Sequence, residues 1–148
     1  MKVIKVLSVE VVFILLAKSV LFAQGAGILW DTLNKEVGEL YLKGQYDRAE
    51  VVAKKALEVA EKKVGTDHPS VATSLHNLAD IYRIQGQYAQ AEPLYKRVLV
   101  IYEKSLGPDH PDVANCLTNL AQLYRATRRG KKAAEFEQRA AAIRTAER

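Results

Sequence analysis

The chain has 148 residues, of which 49% are hydrophobic and 26% are charged, a balance that excludes an intrinsically disordered protein. Only eight glycines and four prolines interrupt it, which favours long helices over a many-turned β fold, and the single cysteine, Cys116, excludes an intramolecular disulfide. The net charge of +5 does not indicate a globally basic, nucleic-acid-binding chain, because residues 24–124 carry 11 basic and 13 acidic residues and residues 125–148 carry eight basic and three acidic ones.

The first element in chain order, residues 1–23, has the features of a secretory signal peptide. A short, positively charged start precedes a mostly apolar stretch, and Ala23 offers a small residue before a cleavage point. Glu10 and Lys18 interrupt the apolar stretch, which disfavours a stable membrane span. We therefore predict export to the periplasm or the exterior after cleavage. The alternatives are a membrane anchor formed by residues 3–23 and a soluble helix.

An internal repeat follows this segment. Residues 65–72 (GTDHPSVA) align with residues 107–114 (GPDHPDVA) at an offset of 42 residues. The same offset relates a second set of positions, namely Leu75, Asn77, Leu78, Ala79, Tyr82 and Arg83, to Leu117, Asn119, Leu120, Ala121, Tyr124 and Arg125. Matches in the other direction predict three copies, at about residues 26–64, 65–106 and 107–148.

Each copy is predicted to form two helices. In the second copy, one apolar stripe with helical spacing consists of Leu75, Leu78, Ala79 and Tyr82, and the next consists of Ala91, Leu94, Tyr95, Val98, Leu99, Ile101 and Tyr102. Gly86 separates the two stripes. Gly107 is expected to end the second helix and Pro111 to begin the next one, with either Asp109 or His110 as its capping residue.

The spacing Leu-x2-Leu-Ala-x2-Tyr at Leu75 and Leu117, followed by Ala91-x3-Tyr95, resembles the two helix patterns of tetratricopeptide repeats. The 42-residue period with Gly-x-Asp-His-Pro at the junction resembles the kinesin light chain type of this repeat, which bacterial proteins also carry. The end copies depart from the pattern: Arg128 replaces the turn glycine, Glu137 replaces the aromatic residue, and Glu36 replaces a leucine.

The resemblance implies an all-α fold, a short right-handed α-solenoid of three antiparallel helix pairs. In such a stack the first helices line the concave face, and their residues that do not pack point into the groove. The predicted groove residues are Lys35, Asn77, Asp80, Arg83, Asn119, Gln122 and Arg125. The amides suit the backbone of an extended peptide, and Arg83 with Arg125 would hold a carboxylate. Trp30 is expected to pack against the second copy, with an exposed anchor as the alternative.

The resemblance therefore implies a non-catalytic scaffold for a protein or peptide partner, and the alternative is an assembly or oligomerisation module whose groove is not used. Self-association and membrane association through the N-terminus are further partner hypotheses, and no nucleic acid is expected. A third hypothesis is that the basic run of residues 131–148 binds nucleic acid or anionic lipid, although it also suits a solvated closing helix.

No catalytic, cofactor or metal site is predicted. His68 and His110 lie beside Asp67 and Asp109 at matching junctions, where helix capping explains the pairs better than a metal does. His76 has no Ser or Cys partner in a recognisable pattern, and the sequence contains no phosphate-binding glycine loop.

Overall fold

The structure is a computed structural model that describes the backbone of residues 9–146 and the side chains of residues 24–146. The described residues form six α-helices, α1 (Val9–Leu42), α2 (Tyr46–Val64), α3 (Pro69–Ile84), α4 (Tyr88–Leu106), α5 (Pro111–Ala126) and α6 (Gly130–Ala146). The start of the predicted signal peptide, residues 1–8, lies outside the described residues. In the described part of the chain, no helix is both long and apolar enough to cross a membrane.

The helices form three consecutive pairs that stack in chain order. Within the pairs α1 packs against α2, α3 against α4 and α5 against α6, and each second helix also packs against the first helix of the next pair. Turns of three residues join the helices of a pair, so the two run antiparallel. The prediction of an all-α solenoid of three helix pairs is confirmed.

The start of each later pair is set by a histidine cap. The Nδ1 atoms of His68 and His110 accept hydrogen bonds from the backbone N–H groups of Ser70 (3.1 Å) and Asp112 (3.2 Å). A proline follows each histidine at the first helical position, where the missing N–H costs nothing. The sequence left the capping residue open between aspartate and histidine, and the structure assigns it to the histidine.

The turn inside each pair requires a left-handed residue. Gly44 and Gly86 supply it with φ values of 70° and 74°, and Arg128 occupies the equivalent place with φ 59°. A left-handed conformation costs a residue with a side chain about 1–2 kcal/mol, whereas glycine adopts it freely. The third turn is therefore strained where the first two are not.

Replacing Arg128 by glycine is expected to raise the free energy of unfolding by about 1 kcal/mol, because it removes this strain. Thermal denaturation followed by circular dichroism should show a rise in Tm of about 2–4 °C. The control Gly86→Ala places a side chain in the same left-handed conformation and should lower Tm by a similar amount. An unchanged or lower Tm for Arg128→Gly would contradict the assignment of strain.

The core follows the predicted stripes. Every apolar residue of the first-helix stripe is buried in the second and third copies, and the core also includes Ala91, Tyr95, Val98 and Ile101 of α4. Cys116 is fully buried, and burial raises the pKa of its thiol to about 12. This thiol therefore remains protonated at neutral pH.

The first copy shows what happens to a helix face that no described helix covers. Glu36 is exposed, whereas its counterparts Leu78 and Leu120 are buried on α3 and α5, the two first helices that pack against a preceding second helix. Trp30 packs against the second copy, as predicted, since its Nε1 donates a hydrogen bond to Ser74 Oγ at 2.8 Å. A polar outer face is the expected property of a terminal repeat.

Two sets of polar contacts recur at both junctions between pairs. Tyr82 Oη donates to Glu50 Oε1 at 3.3 Å, and Tyr124 Oη donates to Glu92 Oε1 at 2.6 Å. On the second helices, Arg97 pairs with Glu61 at 2.9 Å, and Arg139 pairs with Glu103 in the same way. These polar contacts between pairs therefore recur at the same 42-residue interval as the buried residues of the core.

Candidate functional site

The first helices lie on the concave side of the stack. The backbones of neighbouring first helices, α1 with α3 and α3 with α5, approach each other closely, whereas those of the described second helices lie farther apart and are bridged by long arginine side chains. Because the first helices are closer together, the stack bends around them. Their solvent-facing side is called the concave face here, and the seven predicted groove residues all belong to these three helices.

Two asparagines of this face bridge consecutive first helices. Asn77 Nδ2 donates to Asn34 Oδ1 at 3.0 Å, and Asn119 Nδ2 lies 2.7 Å from His76 Nε2. Each bridge joins residues that are 43 apart, one more than the repeat period. Asn77 and Asn119 therefore help to hold the helices together, and each is half-buried rather than fully exposed.

Asp80 lies at the centre of a polar network in the second copy. Its Oδ1 accepts a hydrogen bond from Tyr95 Oη, a second from Asn119 Nδ2 at 3.3 Å, and lies 3.6 Å from the Arg83 guanidinium. Tyr95 comes from α4 and is fully buried. Burial, followed by the nearby Asp80 carboxylate, raises the pKa of the Tyr95 phenol, so Tyr95 stays protonated and donates.

The two predicted carboxylate-binding arginines are both engaged within their own pairs. Arg83 Nε donates to Tyr95 Oη at 3.2 Å. Arg125 forms two hydrogen bonds of 2.6 Å with Glu137, and they lower the pKa of that carboxyl. A partner carboxylate would have to displace these contacts to bind both guanidinium groups.

Lys35 and Gln122 are placed differently. Both side chains are exposed, and neither makes a side-chain hydrogen bond or ion pair with any residue among 24–146. The ammonium group of Lys35 and the amide group of Gln122 can therefore form hydrogen bonds with solvent or with a partner.

A pocket of about 230 Å³ opens between the first two pairs on the concave face. Gly38 leaves this space empty, since a Cβ atom added there would meet nothing within 4 Å, whereas the equivalent positions in the other pairs carry Asp80 and Gln122. The pocket is lined by Asn34, Val37, Gly38, Tyr41, Asn77 and Asp80.

Sequence reasoning missed the second-helix residues that reach this face. Tyr95 and Glu137 contact arginines that lie 12 residues earlier in the chain. The constant separation was a usable signal, because Arg83 with Tyr95 and Arg125 with Glu137 occupy equivalent positions in two copies.

Known proteins show the same repeat. The family model described as tetratricopeptide repeat matches residues 31–104 and 70–146. No curated protein is significantly similar to the chain. The crystal structure of BtubC (BKLC) from P. vanneervenii superposes with a TM-score of 0.74 at 26% identity, covering 80% of this chain and 47% of that one.

Two further solved structures are similar. TPR-like repeats of a Podospora anserina protein named as a kinesin light chain have a TM-score of 0.71 at 26% identity, covering 78% of this chain and 55% of that one. The TPR domain of Arabidopsis FLU has a TM-score of 0.70 at 19% identity, covering 79% and 95%, and shows the fold alone. This chain spans about half the length of the first two structures. The chain belongs to the tetratricopeptide repeat family, with repeats of the kinesin light chain-like type.

Proposed function

We propose that this chain is a non-catalytic scaffold that binds an extended segment of a protein partner along its concave face. Tetratricopeptide repeats generally bind proteins. The observation that carries the proposal is the pocket beside Gly38, which lies among amide side chains on the face that the stack curves around. Amides both donate and accept hydrogen bonds, which suits a peptide backbone of any sequence.

The groove is tested best at Lys35 and Gln122, because they are exposed and take no part in the bonds between helices. The double variant Lys35→Ala with Gln122→Ala should weaken capture of protein partners about tenfold, a loss of about 1.4 kcal/mol of binding free energy. The matched control is Lys55→Ala with Gln138→Ala, which removes the same two residue types from exposed positions on second helices. Quantitative mass spectrometry of captured proteins provides the measurement.

If both double variants capture the same proteins as the unchanged chain, the concave face is not the binding surface. An assembly module would then be the better description, and light scattering after gel filtration would show a defined oligomer. A loss confined to the Lys35 and Gln122 variant supports the groove.

We also propose that the protein acts after export, with residues 1–23 removed. The buried residues described on α1 begin at Leu33, so cleavage after Ala23 would leave the packed part of the helix intact. Sequencing the N-terminus of the mature protein tests this, because a chain that retains Met1 would contradict cleavage.

A further inference from the structure

The pocket beside Gly38 has hydrogen-bond acceptors that no described residue uses. Both hydrogen bonds to Asp80 go to Oδ1. The other carboxylate oxygen, Oδ2, has no hydrogen-bond donor among residues 24–146, and His76 Nε2 lies 3.9 Å from it. His76 Nε2 lies 2.7 Å from Asn119 Nδ2, so this ring nitrogen already has a hydrogen-bond partner other than Asp80.

The amide of Asn77 adds a second acceptor. Its nitrogen donates to Asn34 Oδ1, while its oxygen accepts from no described side chain. Tyr41 supplies an aromatic wall, and burial, followed by the Asp80 carboxylate, raises the pKa of its phenol. A carboxylate oxygen, an amide oxygen and an aromatic ring together favour a cation over an anion.

The arginine beside the pocket does not reverse this preference. Arg83 approaches Asp80 on the Oδ1 side and is held there by Tyr95. Asp80 is about one-quarter exposed, with a side-chain accessibility of 27%, so a ligand can reach it without unfolding the network. Lys35 is not among the residues that line the pocket.

We infer that this pocket is a subsite for one basic side chain, Lys or Arg, of the bound segment, with Asp80 Oδ2 and Asn77 Oδ1 as its acceptors and Tyr41 as its wall. The inference rests on the proposed function, because it names the chemistry of a residue within the segment that the groove would hold. It differs from the carboxylate-binding role that the sequence suggested for this face.

Selection of a displayed library of random dodecapeptides on the immobilised full chain tests the subsite. The selected peptides should share one aligned Lys or Arg. Replacing that residue by norleucine, which keeps an unbranched aliphatic side chain and removes the charge, should weaken binding at least tenfold in fluorescence anisotropy. Asp80→Asn should weaken binding of the basic peptide by a similar factor.

The losses of binding affinity caused by the norleucine peptide and by Asp80→Asn should not be additive. The norleucine peptide should bind Asp80→Asn as well as it binds the unchanged chain, because the contact that both changes remove is the same one. A purely structural effect of Asp80→Asn would instead weaken both peptides by equal factors, and that result would overturn the inference.

A second variant keeps the test independent of the Asp80 network. Gly38→Gln fills the pocket with a side chain and should abolish binding of the basic peptide. The matched control Gly25→Gln makes the same substitution on the same helix, where a Cβ also meets nothing within 4 Å, and should bind normally. Unimpaired binding by Gly38→Gln would remove the pocket from the site.

The outcomes separate the two proposals. If selection enriches no peptide, the peptide-binding groove itself is wrong. If it enriches peptides without a shared basic residue, or with a shared acidic one, the groove stands and only the basic subsite is overturned.

Discussion

Replacing Tyr95 by alanine is expected to lower the free energy of unfolding by about 3–5 kcal/mol, the range for removing a large aromatic side chain from a core. Tyr95 is fully buried, with 0% of its surface accessible to solvent. Its ring lies edge-on to His76 at 5.7 Å, and its hydroxyl joins Asp80 to Arg83. The substitution therefore leaves a cavity and removes a donor from a partly buried carboxylate.

Urea denaturation followed by circular dichroism measures this loss. The control Tyr95→Phe keeps the ring and removes only the hydroxyl, so it should cost about 1–2 kcal/mol. The difference between the two variants gives the packing contribution. A loss below about 1.5 kcal/mol for the alanine variant would show that the ring is not part of the core.

The central role of Tyr95 shows where sequence reasoning stopped. The spacing from Ala91 to Tyr95 identified a second helix and its buried face. It did not show that the hydroxyl crosses to the first helix, because periodicity assigns a residue to a face and says nothing about the reach of its side chain. The equivalent positions carry Ala53 and Glu137, so only the 12-residue separation from an arginine, which recurs at Arg125 and Glu137, pointed to this contact.

The repeat period predicted the core well for a physical reason. Leu75 and Leu117 are 42 residues apart, and both are fully buried, since the same helix pair is stacked again in the same way. Because each pair must bury the same faces against its neighbours, a match in sequence becomes a match in burial.

The period was less informative about contacts between pairs. Alignment places Lys35 with Asn77 as equivalent residues, yet Asn77 contacts Asn34. Equivalent residues of neighbouring copies, such as Lys35 and Asn77, are 42 positions apart in the sequence. The residues that contact each other across two pairs, such as Asn34 and Asn77, are 43 positions apart. For this reason the sequence predicted which residues lie on the concave face, but not that Asn77 is already bonded to its neighbour.

Acid is expected to loosen the third pair through Glu92. This carboxylate lies on α4 and accepts bonds from Arg129 at 2.6 Å, Tyr124 at 2.6 Å and Lys96 at 2.7 Å. The Arg129 hydrogen bond is the main cause that lowers its pKa from 4.5 to about 2. Glu50, the equivalent residue, has Tyr82 and Lys54 but no arginine, because Gln87 takes the place of Arg129.

A carboxyl whose pKa is lower in the folded state stabilises that state fully above the unfolded pKa, and this stabilisation is lost as the pH falls. For Glu92 the loss should extend from about pH 4.5 to about pH 2. We expect it to amount to about 1–2 kcal/mol, because the partner Arg129 is 40% exposed and solvent screens the pair.

The measurement compares urea midpoints of the unchanged chain and Glu92→Gln from pH 6 down to pH 2.5. The glutamine variant should be less stable by about 1–2 kcal/mol at pH 6, and the gap should close as acid protonates Glu92. Glu50→Gln is the matched control and should show a smaller gap, since no guanidinium holds that carboxylate. A gap for Glu92→Gln that stays constant across this range would mean that the variant acts through packing, and that the charge on Glu92 does not tie the third pair to the second.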